Sequence, residues 1–75
     1  MKEFKKNDWI YDEYSSDLNI GKITKFMNGD PYCNMWYSSA GEPGNCGTCD
    51  ITKVRFATES EIIKVTKQPL NYEIY

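Results

Sequence analysis

Apolar and polar positions along this chain alternate at the short period of β-strands, and helical periodicity is poor over the first 56 residues. A first β-rich run, Trp9-Ile10-Tyr11, opens after Asn7-Asp8, and the residues from Tyr14 to Asn19 form a polar turn. The second run is Ile20 to Phe26, with Gly21 inside it marking a bulge or a close backbone approach. Asn28-Gly29 then predicts a tight hairpin turn. In the third run, Tyr32 to Tyr37, strict alternation sends Tyr32, Asn34 and Trp36 to one face and Cys33, Met35 and Tyr37 to the other. Ser38 to Thr48, with Gly41, Pro43, Gly44 and Gly47, reads as a loop with a mobile tip. Asp50 to Phe56 is the fourth run. Thr58 and Glu61 fit a capping box, which predicts one helical turn from Glu59 to about Ile63. Ile62, Ile63 and Val65 lead into a last short strand stopped by Pro69, and alternating Leu70, Tyr72 and Ile74 predict an edge strand in the tail. The core expected from this pattern is Trp9, Ile23, Phe26, Met35, Val54, Phe56 and Ile63, with tyrosines around its rim.

Five short strands with hairpin turns predict a mainly β fold: a small five-stranded antiparallel barrel with one helical turn near residues 59–63. A single domain spans residues 1–75, with an irregular loop at 38–49 and a C-terminal tail at 68–75. Three segments make a more specific likeness: Phe4-Lys5-Lys6-Asn7-Asp8-Trp9-Ile10-Tyr11, then Ile20-Gly21-Lys22-Ile23, then Val54-Arg55-Phe56-Ala57-Thr58-Glu59-Ser60-Glu61-Ile62. Together they resemble the small SH3-like and Tudor-like barrels common in bacteriophage and mobile elements. Those proteins open on K-G-D-x-V, follow with a G-x-V strand, and turn through A-T-x-E-E-I before the last strand. Asn7 stands where the family usually has glycine, and the cysteine-bearing loop is longer than usual. The resemblance implies an SH3-like barrel and, since such barrels host many functions, no particular activity.

Composition narrows the function classes. At 75 residues the chain is too short for a dinucleotide-binding domain, a TIM barrel or a kinase. A domain of this size buries only about 60% of the surface its unfolded chain exposes. Aromatic residues make up 15%, and a few such rings supply much of a small core. The 40% hydrophobic share, with a mean hydropathy of -0.67, predicts a soluble globular domain. There is no apolar run of membrane-spanning length, and the charged N-terminal stretch Met1 to Lys6 lacks the apolar core of a signal peptide, so a cytoplasmic location is expected, host cytoplasm for a phage-encoded protein. The net charge of -2 argues against a nonspecific nucleic-acid binder, which needs a basic face. The chain contains no histidine, so no Ser-His-Asp or Cys-His pair can form within it, and no enzymatic activity is expected.

Three sets of residues carry candidate chemistry. Cys46-Gly47-Thr48-Cys49 is a C-x-x-C, and Cys33 precedes it. Cys33, Cys46 and Cys49 supply three of the four ligands of a structural zinc site, leaving Asp50 or a second chain to complete it. A redox role would need a thiol of lowered pKa. The ordinary alternative is a strand cysteine and a loop pair. Lys22, Lys25, Lys53 and Arg55 would line one sheet face with Tyr32 and Trp36 stacking bases in a nucleic-acid-binding barrel. The favoured reading is a non-catalytic protein-binding module. It uses the long loop together with Tyr14, Trp36 and Tyr37 as anchors, and Glu42 steers a basic patch on the partner. A small phage effector that binds and inhibits a host protein is one instance. A homo-oligomer stays open.

Overall fold

The computed structural model describes residues 3–67. The edge strand expected over residues 70–74 lies outside them. Strands β1 (Trp9–Asp12), β2 (Leu18–Met27), β3 (Asp30–Ser38), β4 (Gly47–Thr48) and β5 (Val54–Phe56) form one antiparallel sheet in the order β4-β3-β2-β1-β5, and one helix, α1 (Glu59–Thr66), follows. The fold is therefore mainly β, as expected. The edge strands β4 and β5 are joined through a turn of 3-10 helix, Ile51–Lys53, and make no ladder with each other. The five antiparallel strands are thus present as expected in one sheet, with no pair closing it into a barrel among the described residues.

Asn28-Gly29 makes the β2–β3 hairpin turn. Both residues have positive φ, 55° and 88°, the backbone that matches strand twist in a two-residue turn and that Asn and Gly tolerate best. Above this turn the alternation breaks. Gly21 faces Trp36 and Ile23 faces Cys33, so two steps along β2 match three along β3. The extra residue is a β-bulge, and it turns both Cys33 and Trp36 toward the same face. Gly21 makes room for them: a Cβ there would lie 2.7 Å from Cys33 Sγ and 3.0 Å from Trp36 Cε3. The resulting core joins Ile10, Ile23, Cys33, Trp36 and Val54, with Phe4, Leu18 and Cys49 packed against it.

This corrects the expected core. Ile23 and Val54 are buried, but Phe26, Met35 and Phe56 are exposed, Phe56 at 44%. Phe56 stands opposite Ile10 on the edge strand, with the Phe4 ring 4.7 Å from its own. Trp9 is half-buried on the other face, since register places it opposite Lys22 while its neighbour Ile10 is opposite Gly21. Trp36, expected as an exposed anchor, is 6% exposed, and its indole N–H donates to the Gly47 carbonyl at 2.9 Å.

The second face of the sheet is covered at one end by α1. Ile20 is fully buried, and register puts it in a cross-strand row with Tyr37, Tyr11 and Arg55. Helix α1 packs against β2, with Ile62 and Val65 as its buried residues. The last strand expected over residues 62–65 is therefore helix. The predicted capping box nucleates it: Thr58 Oγ1 accepts from the Glu61 N–H and the Glu61 carboxylate accepts from the Thr58 N–H at 2.7 Å. Ile62 and Val65, three apart, then share one helical face. Asp50 to Phe56 is likewise only partly strand, because the Asp50 carboxylate accepts from the Thr52 N–H and hydroxyl and caps the 3-10 turn.

Arg55 ties these layers together. Its guanidinium lies 4.3 Å above the Tyr11 ring and donates two hydrogen bonds to Glu61, at 2.8 and 3.0 Å, and one to Glu13. Those bonds from Arg55 hold the Glu61 carboxyl at about 2, against an ordinary 4.5. Since the folded value is depressed, the stabilisation is complete above pH 4.5 and is lost as pH falls toward 2. Thermal melts across that window should show a falling melting temperature, and Arg55→Met should flatten the slope; an unchanged slope would dissociate Arg55 from Glu61. Thr58→Ala should cost about 1 kcal/mol in chemical denaturation, the usual effect of losing an N-cap, and an unmoved midpoint would mean the cap contributes nothing.

Candidate functional site

The segment from residue 38 to 49 is laid back along β3. The Gly44 N–H donates to the Trp36 carbonyl and the Trp36 N–H to the Asn45 carbonyl, both at 2.8 Å, and the Ser38 N–H donates to Glu42. The pairs Cys33–Gly47 and Tyr32–Thr48 then form the β3–β4 ladder. The turn at Ser38–Glu42 is tied to the first turn through buried Asn19. The Asn19 amide donates to the carbonyls of Asp12 and Ser15 and accepts from the Ser39 hydroxyl. Gly41 lies against the Lys64 carbonyl at the end of α1. Much of the expected loop thus serves the fold.

The proposed anchors do not converge. Tyr14 is 74% exposed in the first turn, with Lys53 Nζ 5.4 Å from its ring centre. Glu42 is exposed on the turn after β3, Trp36 is in the core, and Tyr37 is half-buried on the opposite sheet face. The basic set is also dispersed. Lys25 sits over Tyr32, Lys53 over Tyr14, Arg55 is paired with Glu13 and Glu61, Lys22 lies across β1–β2 from Trp9, and Trp36 is buried.

The cysteines occupy three environments. Cys33 is buried, Cys49 half-buried and Cys46 exposed, and none is disulfide-bonded. Burial pushes the Cys33 thiol up to about 12, with Cys49 adding to it. Cys49 is also pushed up to about 12, by burial first and then by Asp12, Asp30 and Asp50. Burial thus holds both thiols protonated; of the two, only Cys49 belongs to the C-x-x-C, and its raised value is the opposite of the lowered one that a reactive thiol needs. Among the described residues, no three Cys, Asp or Glu side chains gather closely enough to hold an ion.

What the tertiary structure does assemble is a groove of about 370 Å³ on the sheet face beside α1, lined by Asn7, Trp9, Lys22, Thr24, Asn34, Met35 and Tyr37. Trp9 and Tyr37 form its aromatic part, their ring centres 6.2 Å apart and tilted by 49°. Met35, exposed by the bulge at 37%, completes the apolar lining. Asn7 holds a left-handed backbone, φ 79°, which asparagine tolerates better than most residues, and its N–H donates to the Ile23 carbonyl at 2.8 Å. Asn34 donates its N–H to Thr24 Oγ1 at 3.0 Å, which sets the polar rim. Of the anchors read from the sequence, only Tyr37 lines this groove. Trp9, expected in the core, is identified as a groove residue only by its cross-strand pairing with Lys22. A second depression, about 250 Å³, lies beside Asp12, Leu18, Cys46 and Cys49.

Comparison with protein-family models, with characterised proteins and with solved structures found no match to this chain. Among the described residues no helix is long and apolar enough to cross a membrane.

The differing exposure of the three thiols has a direct chemical readout. Iodoacetamide under native conditions should label Cys46 first, and mass mapping should find Cys33 modified only after denaturation. Equal labelling of all three in the folded protein would contradict the burial described.

Proposed function

We propose that this chain is a non-catalytic protein-binding module whose contact surface is the Trp9–Met35–Tyr37 groove. The observation that carries the reading is a half-open aromatic pair on a sheet face that α1 covers only in part. Rigid rings of this kind supply much contact area at little cost in side-chain entropy, and aromatic residues dominate interface energies. The β-bulge adds a methionine, a side chain that adapts its shape to a partner. The sheet beneath is held by ladders on both sides of β2, so the groove is preorganised. An inhibitor that acts by covering a partner's surface is one form of such a module, and the resemblance to small phage barrels suggests that form. A stable contact needs about 800 Å² per partner, so the groove would be the centre of a larger footprint.

A displayed random-peptide library, panned on the folded chain, tests this reading. Selected peptides should lose about tenfold or more in affinity on Trp9→Ala and on Met35→Asp, while Tyr14→Ala leaves binding unchanged. Met35 is partly exposed, so Met35→Asp keeps the fold and controls for any destabilisation in Trp9→Ala. Selected peptides that bind folded Met35→Asp as tightly as the unsubstituted chain would place the contact surface elsewhere.

A further inference from the structure

Among the described residues, Lys22 is the only charged side chain lining the groove, and it stands directly across β1–β2 from Trp9. Three other cations are committed to aromatic rings or acids: Lys25 to Tyr32, Lys53 to Tyr14, and Arg55 to Tyr11, Glu13 and Glu61. Among the described residues, the Lys22 ammonium makes no ion pair, and the side-chain amides of Asn7 and Asn34 donate to nothing. The Thr24 oxygen accepts from the Asn34 N–H, which leaves its own hydroxyl proton to be given to a ligand. Among the described residues the rim thus presents an ammonium, two amides and a hydroxyl, with no carboxylate.

We infer that the groove recognises an acidic side chain of an extended peptide segment, with Lys22 pairing to the carboxylate and the Trp9–Met35–Tyr37 lining taking an apolar side chain beside it. This rests on the groove being the contact surface. A carboxylate accepts several hydrogen bonds at once, and charge-assisted bonds are roughly twice as strong as neutral ones. A cationic ligand is disfavoured: an aromatic cage for a methylated ammonium gains from a nearby acid, and here Lys22 would repel it. The apolar and donor-bearing parts lie side by side on neighbouring strands. In an extended chain, residues two apart point the same way at about 7 Å spacing. A peptide with an acid and an apolar residue two positions apart therefore engages both parts, which a small carboxylic acid cannot.

Nitrogen-15 NMR titration with acetyl-Gly-Glu-Gly-Leu-Gly-amide tests the inference against its Gln counterpart and against glutarate. The acidic peptide should move the Trp9 indole N–H and the side-chain amides of Asn7 and Asn34. Its affinity should exceed that of the Gln peptide by about tenfold and should fall as salt is added. Lys22→Gln should erase the difference between the peptides. Lys22→Glu should favour the peptide with Lys in place of Glu, an inversion that loss of folding cannot imitate. Equal binding of the Glu and Gln peptides at the groove would overturn the acidic preference and leave the groove as the contact surface. Glutarate binding as tightly as the peptide would overturn the peptide assignment. Shifts confined to residues outside the groove would overturn the inference together with the reading beneath it.

Discussion

The close approach of β2 and β3 at Gly21 is the constraint on which the rest of the structure depends. With no side chain at this position, the Cys33 sulfur and the Trp36 indole occupy the space a Cβ would fill. The bulge that brings both of them inward has two consequences. On one face it completes the core with Ile10, Ile23 and Val54. On the other it leaves Met35 without a covered position and delivers it to the groove. The Trp36 N–H and C=O then bond to the returning segment, and its indole N–H to Gly47, so the core tryptophan also places β4.

A domain this small cannot bury enough surface on one side of a sheet alone, and here both faces are used. The face opposite the main core carries Ile20 and receives Ile62 and Val65 from a helix of only two turns. Such a helix is marginal by itself. Its capping box and the Arg55–Glu61 pair fix its start, and the Gly41 turn abuts its end. Because the helix reaches over only part of that face, Trp9 and Tyr37 remain half-open beside it. The binding reading comes from this incomplete cover: the groove is the part of the second face that the short helix does not reach.

Local chemistry was legible in the residues themselves. Asn28-Gly29 specified its hairpin turn, because few other pairs tolerate two successive positive φ values. Thr58 and Glu61 specified a helix start, because the two groups satisfy each other's backbone N–H groups within four residues. The first three strands and the mainly β class followed from period-two alternation, and Gly21 was marked as a place of bulge or close approach. The length of α1 was underestimated, since Ile62, Ile63 and Val65 suit either a strand or a helix face until the packing partner is known.

The faces of β3, and therefore the site, were decided only in three dimensions. Alternation read without a bulge put Trp36 outside and Met35 inside, and the structure has the reverse. Nothing in Tyr32 to Tyr37 alone marks the extra residue, because a bulge is a mismatch between two strands and exists only once β2 is paired with β3. The same holds for Trp9 and Lys22, thirteen positions apart and joined by register. The sequence by itself determined the turns, the cap and the strand composition, whose energies lie within a few residues. Which aromatic ring is buried and which faces the groove was decided by the tertiary structure, because that choice depends on contacts between residues distant along the chain.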